Sequence, residues 1–329
     1  MKKRVLSAIV AAILALSMTA CSSQQSESES QSENSDLIKI GIIQQMEHSS
    51  LDSARQGFID ALSDNGYKDG ENITIDYQNA QGDTSNLSTI SERFVNDKSD
   101  LVLAVATGAA QSMASKTNEI PVLFTAVTDP VEAGLVADNQ VPGGNISGTN
   151  DMNPIEAQID LITEVYPDTK TIGILYCSSE DNSIIQAKQA KEYIESKNLE
   201  WIEGTVTNSN DVQQVTQSVA SNCDAIYIPT DNAYASAMAV VAGIAEEKKI
   251  PVVCGAIDMV KDGGLMTLGL NYYNLGYQTG EMAVRILKDN ADISNMPVEN
   301  SEKYDYYINS SMAKSIGAEI PEKYTQYAQ

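Results

Sequence analysis

The sequence predicts an α/β protein made of two doubly wound lobes of parallel β-sheet, joined by a hinge and separated by a cleft. From Leu37 onward, short apolar runs alternate with longer amphipathic segments, a pattern typical of parallel strands covered by helices. The pattern occurs twice, with similar segments offset by roughly 120–135 residues, the length of one domain. With 329 residues, the chain is long enough for two domains.

The first pass of the pattern contains five apolar runs and three amphipathic segments. The runs predict strands at 38–43, 72–77, 101–106, 120–124 and 144–149. The amphipathic segments predict helices at 53–65, 85–96 and 109–116. Gly66 follows the first helix, where a left-handed residue commonly ends a helix.

The second pass repeats this order. It predicts strands at 171–176, 199–205, 225–228, 250–253 and 265–270, and helices at 183–197, 211–221 and 233–248. Three pairs of segments match most clearly: 39–43 with 171–175, 119–123 with 249–253, and 145–149 with 265–269. A further helix at 274–288 and a late strand at 304–309 complete the prediction.

The first 36 residues predict an export signal and a tether. Residues 1–20 combine a basic start with a short apolar run, which indicates a signal peptide. Cys21 follows Ala20 in a sequence that resembles a bacterial lipobox, so we expect cleavage before Cys21, its lipidation and anchoring to the outer face of the cell membrane. The alternative is ordinary secretory cleavage. Residues 21–36 are rich in Ser, Gln and Glu and predict a disordered tether.

Composition argues against several classes of function. Asp and Glu outnumber Lys and Arg by 45 to 21, and the net charge of −24 disfavours nucleic acid and polybasic membrane contacts. His48 is the only histidine, which disfavours a metal site. The sequence contains no nucleotide-binding or nucleophile motif, so we expect neither a cofactor nor an enzyme. The alternative is acid–base catalysis by Asp129 and Asp231. Beyond Cys21, the three cysteines are expected to be small buried hydrophobes.

Polar side chains follow the predicted strands, and parallel sheets bind ligands at the carboxyl ends of their strands. We expect the cleft to be lined there by hydroxyl, amide and carboxylate groups. The candidate ligand-binding residues are Gln44, Glu47, Thr107, Ala109, Asp129, Ser178, Ser179, Asn182, Ser183, Thr230, Asp231, Asn232 and Asp258.

These candidates suit a small zwitterion such as an amino acid. The helix start at 107–110 and the one at 182–183 offer backbone N–H groups to a carboxylate, whereas Asp129, Asp231 and Asp258 can neutralise an ammonium. Thr107, Ser183 and Asp231 also occupy helix N-cap positions, and capping alone is the alternative for each. Two further residues have a structural alternative to ligand contact. His48 could be an ordinary loop residue, and Tyr272 could pack at the hinge instead of forming a wall of the ligand site.

Several segments resemble one family, the ABC-transporter substrate-binding lipoproteins that include tryptophan- and tyrosine-binding members. They are 48–52, 77–83, 124–131, 142–148, 228–232 and 275–280. The resemblance implies a type I periplasmic-binding fold, a ligand that is an aromatic amino acid, capture by hinge closure and delivery to an ABC permease in the membrane. We also expect a monomer. Ser49 departs from the family pattern, because members often have proline there.

The family fold further implies that segments are exchanged between the lobes. We expect an N-lobe at 37–148 plus 272–298 and a C-lobe at 149–271 plus 299–329. Two alternatives to the aromatic ligand stay open: the same class of receptor for another solute, such as a different amino acid or a nucleoside, and a surface sensor or adhesin.

Overall fold

The computed structural model describes residues 37–301 and 303–329. The predicted signal peptide, lipidation site and tether therefore lie outside the described residues. The described chain contains two six-stranded sheets with helices packed against them. This confirms the predicted fold class of two α/β lobes.

The first sheet is entirely parallel and runs in the order β2-β1-β3-β4-β5-β11. Its strands are β1 Ile38–Gln44, β2 Ile73–Asn79, β3 Leu101–Val105, β4 Val122–Val127, β5 Ile146–Asn150 and β11 Glu299–Asn300. The central strands are buried along their whole length, as β3 and β4 show, because helices cover both faces of the sheet.

The second sheet repeats the order of the first five strands, as β7-β6-β8-β9-β10, and ends in β12. Its strands are β6 Thr171–Cys177, β7 Glu200–Val206, β8 Ala225–Ile228, β9 Val252–Cys254, β10 Met266–Gly269 and β12 Asp305–Ile308. The sixth strand is where the two sheets differ: β11 pairs parallel with β5, whereas β12 pairs antiparallel with β10.

Eleven α-helices connect the strands of the described chain. They are α1 Ser49–Asp64, α2 Thr84–Asn96, α3 Thr107–Ala114, α4 Ile155–Val165, α5 Asp181–Ser196, α6 Val212–Ala220, α7 Asn232–Ala235, α8 Met238–Lys248, α9 Ile257–Lys261, α10 Tyr272–Asp289 and α11 Ser310–Ile316. The prediction did not include α4, α9 and α11. Among these residues, no helix is both long enough and apolar enough to cross a membrane.

One predicted helix is divided in the structure. The segment 233–248 was expected to form one helix, but α7 ends at Ala235 and α8 begins at Met238. Between them, the Ser236 hydroxyl donates a hydrogen bond back to the carbonyl of Ala233 at 2.8 Å. Such local side-chain bonds compete with helix continuation.

The chain changes sheet slightly later than the predicted positions. Thr149 and Asn150 were assigned to the C-lobe, but they pair with Glu299 and Asn300 in the first sheet. The next segment, α10, packs along α1 beside the same sheet. We therefore propose that the N-lobe comprises 37–150 plus 272–300 and that the C-lobe comprises 151–271 plus 303–329.

Candidate ligand-binding site

A cavity of about 300 Å³ lies between the two sheets. Almost every residue that lines it follows the carboxyl end of a strand or begins the helix after it, as expected for open parallel sheets. Its lining residues are His48, Ser50, Leu51, Ala126, Asp151, Asn182, Thr230, Asp231, Asn232, Ala235, Ala256, Met259 and Tyr272.

The N-lobe side of the cavity is formed by the start of α1 and the end of β4. His48, Ser50 and Leu51 lie at the first turn of α1, directly after β1. Ala126 lies in a bulge of β4 and has a positive φ of 59°. A bulge redirects the strand locally, and here it brings the small Ala126 side chain to the cavity wall.

The C-lobe side is formed by the ends of β6, β8 and β9. Asn182 is in the first turn of α5, and Asn232 begins α7. Met259 is in α9 and is 2% exposed, so its thioether contributes to the apolar part of the wall.

Two residues at the crossings between the lobes complete the cavity. Asp151 follows β5, and Tyr272 begins α10. The Tyr272 hydroxyl donates a hydrogen bond to Asp151 Oδ2, and the Thr128 hydroxyl donates one to Asp151 Oδ1 at 2.9 Å. Burial raises the pKa of the Asp151 carboxyl, although both hydroxyls favour its charged form.

A second carboxylate, Asp231, is fixed by backbone donors. Cys177 N–H donates to Asp231 Oδ2 at 2.5 Å, and Tyr234 N–H donates to Asp231 Oδ1 at 2.8 Å. The second bond caps α7, as the capping alternative predicts. Burial raises the pKa of Asp231.

Glu180 lies behind the cavity wall and positions two of its amides. Its Oε2 accepts hydrogen bonds from the side-chain amides of Asn232 at 2.6 Å and Asn182 at 3.4 Å, and its Oε1 accepts one from Ala233 N–H at 3.2 Å. Burial, followed by the negative charge of Asp231, raises the pKa of Glu180 to about 8.

The negative charge around the cavity has little local compensation. Among the residues that the structure describes, neither Asp151 nor Asp231, the two carboxylates in the lining, forms an ion pair with a Lys, Arg or His side chain. Asp258, just beyond the wall, differs because Lys261 Nζ lies 2.9 Å from its Oδ1. The cavity is therefore suited to a ligand that brings a positive charge.

Direct hydrogen bonds join the lobes around the cavity. His48 Nε2 lies 3.0 Å from Asn232 Oδ1, and the Ser49 hydroxyl donates to Asp262 Oδ2 at 2.5 Å. On another side, the Gln111 amide donates to Asp181 Oδ2 at 2.9 Å. The chain is thus in a closed conformation.

Four of the thirteen predicted ligand-binding residues line the cavity: Asn182, Thr230, Asp231 and Asn232. His48 and Tyr272, for which the sequence left two alternatives, line it as well. Contact between these residues and a ligand stays a prediction.

The predicted carboxylate seat at the start of α3 does not reach the cavity. The N–H of Gly108 already donates to Gln45 Oε1 at 3.0 Å, so this helix end is capped from within its own lobe. Thr107 and Ala109 are buried in the same turn, away from the cavity lining.

Seven further predicted residues also lie outside the cavity lining. Six of them form hydrogen bonds with nearby groups, and the seventh is exposed to solvent. Gln44 is buried and donates to Met46 O and Asp52 Oδ1, whereas Glu47 is exposed. The remaining five satisfy local partners: Asp129 accepts from Val131 N–H and Glu132 N–H, Ser178 and Ser179 donate to the carbonyls of Val206 and Thr207, Ser183 accepts from Asn182 Nδ2, and Asp258 pairs with Lys261.

Ser179 and Glu180 lie in a larger, more open groove beside the cavity. This groove also separates the lobes and is lined mainly by polar side chains, with Met46 among them. The apolar wall of the cavity itself is formed by Leu51, Met259 and the three alanines 126, 235 and 256.

The prediction missed Ser50, Leu51, Ala126, Asp151, Ala235, Ala256 and Met259 as lining residues. Asp151 could have been found, because it lies two residues after the predicted strand at 144–149. Asp151 lies where the chain leaves the first sheet, and this crossing is itself part of the cavity wall.

Comparison with known proteins shows which family this chain belongs to. The family model for ABC transporter substrate binding proteins matches residues 39–329. A tyrosine-binding protein of Clostridioides difficile is 41% identical over 319 residues, covering 95% of this chain and 92% of the relative. The chain therefore belongs to the ABC transporter substrate-binding protein family.

Solved structures agree with this assignment. An ABC domain from Streptococcus pneumoniae in complex with L-Trp is 38% identical, with a TM-score of 0.85 and coverage of 89% of this chain and 98% of that chain. A leucine-binding protein from Thermotoga maritima is 14% identical with a TM-score of 0.59, covering 85% of this chain and 87% of that chain, which shows the fold alone. The predicted type I periplasmic-binding fold and the prediction of a binding protein rather than an enzyme are confirmed.

A third structure distinguishes conformations. The ligand-free, open structure of a substrate-binding protein with adhesive properties from Clostridium difficile is 43% identical, but its TM-score is only 0.68, with coverage of 89% of this chain and 98% of that chain. The relative with bound L-Trp has lower identity and a higher score. The lobes of this chain are therefore arranged more as in the ligand-bound relative than as in the open one.

Proposed function

We propose that this protein is the extracytoplasmic receptor of an ABC importer and that it captures an aromatic amino acid by hinge closure. One observation carries the proposal: a cavity between the lobes is lined by two carboxylates, Asp151 and Asp231, and neither forms an ion pair with a basic side chain of the described residues. An α-ammonium group supplies the missing charge.

The start of α1 suits the ligand carboxylate. Helix N-termini attract anions, and α1 has 16 residues. Ser50 lies in its first turn, is 3% exposed and lines the cavity, and its hydroxyl has no hydrogen-bond partner among the described residues. A buried hydroxyl without a partner is costly, so a ligand oxygen at this position compensates for it.

An aromatic side chain suits the rest of the wall. Leu51, Ala235, Ala256 and Met259 provide an apolar surface for it. Similarity to relatives described as tyrosine-binding and as bound to L-Trp supports the same ligand class.

The proposed cellular arrangement follows from the N-terminus. Lipidation of Cys21 holds the protein at the outer face of the membrane, and the tether lets the lobes reach a permease. The receptor acts as a monomer.

Radiolabelling with palmitate should mark the wild-type protein and not Cys21→Ser. Labelling of both forms would contradict the anchor without affecting the ligand proposal.

A thermal-shift screen tests the ligand class. We expect L-Trp or L-Tyr to raise the melting temperature most among the twenty amino acids and the common nucleosides, because ligand binding to the native state stabilises it by mass action. Stabilisation by a nucleoside or by a small aliphatic amino acid alone would contradict the aromatic ligand.

A surface adhesin is a second candidate, favoured by the adhesive properties of one relative that is 43% identical. Attachment of purified protein to host cells, with and without saturating L-Trp and L-Tyr, separates the two functions. Attachment together with the absence of any amino-acid binding would favour the adhesin over the receptor.

A further inference from the structure

His48 bridges the lobes through a hydrogen bond whose direction can be deduced. The Asn232 side-chain nitrogen donates to Glu180 Oε2 at 2.6 Å, so Asn232 Oδ1 is the atom that faces His48. A carbonyl oxygen only accepts, and His48 Nε2 therefore carries the proton and donates. In a neutral ring, the other nitrogen, Nδ1, is then an acceptor.

The ring is neutral because burial dominates. Burial lowers the pKa of His48, although the hydrogen bond to Asn232 and the negative charges of Asp52, Asp262 and Asp258 act in the opposite direction. Glu180 lies one hydrogen bond further away, behind Asn232. At neutral pH, Nδ1 is thus a lone-pair acceptor.

This acceptor is buried and unused. Among the described residues, none donates a hydrogen bond to His48 Nδ1, and His48 lines the cavity. Buried polar atoms in native proteins are nearly always paired, so the free acceptor indicates a donor on the ligand.

The position of His48 indicates which part of the ligand brings that donor. Leu51 is one turn further along α1, and α9, which carries Met259, packs against α1 across the cleft. His48 therefore shares the cavity wall with the apolar side chains of Leu51 and Met259. The ammonium has better partners in the carboxylates of Asp151 and Asp231, because hydrogen bonds to ionised groups are stronger.

We propose that His48 Nδ1 accepts a hydrogen bond from the ring N–H or O–H of the ligand side chain, so that His48 selects tryptophan and tyrosine against phenylalanine. This inference rests on the proposed function, because it assumes an aromatic amino acid in the cavity. A site built to pair a ligand polar group rejects analogues that lack it, since its own group then stays unpaired.

Calorimetry with matched ligand pairs tests the proposal. L-Tyr is compared with L-Phe, and L-Trp with 3-(benzothiophen-3-yl)-L-alanine, which replaces the indole N–H by sulfur. For the ligand class that the wild type binds, we expect the ring donor to increase affinity at least tenfold. In His48→Phe that preference should fall to less than threefold, whereas Ser49→Ala should weaken all ligands equally and Glu47→Gln should change nothing.

A spectroscopic measurement keeps the test independent of the variant's folding. His48 is the only histidine, so ¹⁵N-histidine labelling of untagged protein reports its ring alone. The Nδ1 resonance should move toward the hydrogen-bonded value when L-Tyr or L-Trp binds, and should not move with L-Phe.

The outcomes separate the two proposals. If no aromatic amino acid binds, the proposed function fails. If L-Tyr or L-Trp binds, but the wild type does not discriminate or His48→Phe retains the full preference, the role of His48 is wrong and the receptor function stands. An unmoved Nδ1 resonance in a saturated complex also overturns the role of His48.

Discussion

Asp151 contributes less to the local structure than Asp231, the other carboxylate that lines the cavity. Within residues 37–301 and 303–329, its side chain accepts hydrogen bonds from just the Thr128 and Tyr272 hydroxyls, whereas Asp231 caps α7. Asp151→Asn removes the charge and keeps the shape, so it isolates the electrostatic contribution to ligand binding.

We expect Asp151→Asn to weaken aromatic amino-acid binding by about 2 kcal/mol or more, the scale for leaving a buried charge without its partner. Asp129→Asn is the matched control, because Asp129 only holds a local turn outside the cavity. Calorimetry at pH 7 measures both. Equal affinities for Asp151→Asn and wild type would remove Asp151 from the ammonium site.

Glu180 makes stability depend on pH. Its pKa is about 8 in the folded protein, above the ordinary value of 4.5, so the native state binds a proton that the unfolded chain has released. That contribution to stability is complete below about pH 4.5 and is lost as the pH rises through about 8.

Glu180→Gln should remove this loss. Between pH 5 and pH 8, the free energy of unfolding of the variant should gain on that of the wild type by at most about 1.4 kcal/mol per pH unit. Urea titrations at the two pH values measure the change, with the exposed Glu47→Gln as control. A constant difference between variant and wild type would show that Glu180 has an ordinary pKa.

Individual site residues were predictable only where a polar residue follows a predicted strand, because ligands bind at the carboxyl ends of parallel strands. Asn182, Thr230, Asp231 and Asn232 were found because they follow strands of the second sheet. The same rule failed at Thr107, because the start of α3 is buried and the Gly108 N–H already donates to Gln45, and no sequence signal shows which side chain will bind a helix start.

At the scale of elements, α1 and α10 form the closest helix pair of the N-lobe. A Cβ added to Gly276 would lie 1.8 Å from the Ala54 carbonyl oxygen, and one added to Gly57 would lie 2.1 Å from the Tyr273 carbonyl oxygen. Both helices thus approach backbone to backbone. This packing fixes α10, which begins with the cavity residue Tyr272.

Gly276→Ala should therefore destabilise the protein by about 1–3 kcal/mol or more, because neither backbone can move away easily. Gly243→Ala is the matched control: it also lies in a helix, α8, but a Cβ there meets nothing within 4 Å. That substitution should stabilise by about 0.5–1 kcal/mol through helix propensity. Thermal unfolding of both variants tests the packing, and a neutral Gly276→Ala contradicts it.

The sequence predicted the strands well and the short helices poorly. Apolar runs such as β3 and β8 are unambiguous because they are buried on both faces. The short α9, with five residues, has too few turns to show a period, and the division between α7 and α8 contains neither glycine nor proline. The strand β12 was predicted at 304–309, but its antiparallel pairing with β10 depends on tertiary structure.

At the scale of the whole molecule, hydrogen bonds on the rim stabilise the closed state without touching the cavity. Ser49 and Asp262 form one such bond between the lobes, and neither residue lines the cavity. The proline common at this position in the family has no hydroxyl, so this bond is a feature of the serine.

Ser49→Ala should weaken every ligand by the same factor, about fivefold, because a typical hydrogen bond contributes about 1 kcal/mol. The change should appear mainly in the dissociation rate, since the bond forms only after closure. Stopped-flow measurements resolve the two rate constants. A change in ligand preference rather than in overall affinity would place Ser49 in the ligand site.

The duplicated architecture was the most predictable level. Both sheets repeat the same order of five strands, as the matching segments of the two passes imply. The exact crossings were less predictable, because β11 is only two residues long and its position depends on pairing with β5.

A crystal structure of the protein grown with L-Trp or L-Tyr tests the central claim most directly. The ligand should occupy the cavity between the lobes, with its ammonium within 3.5 Å of Asp151 or Asp231 and its carboxylate at the start of α1. A ligand in the outer groove beside Glu180, or lobes that stay apart around an empty cavity at saturating concentration, would contradict it.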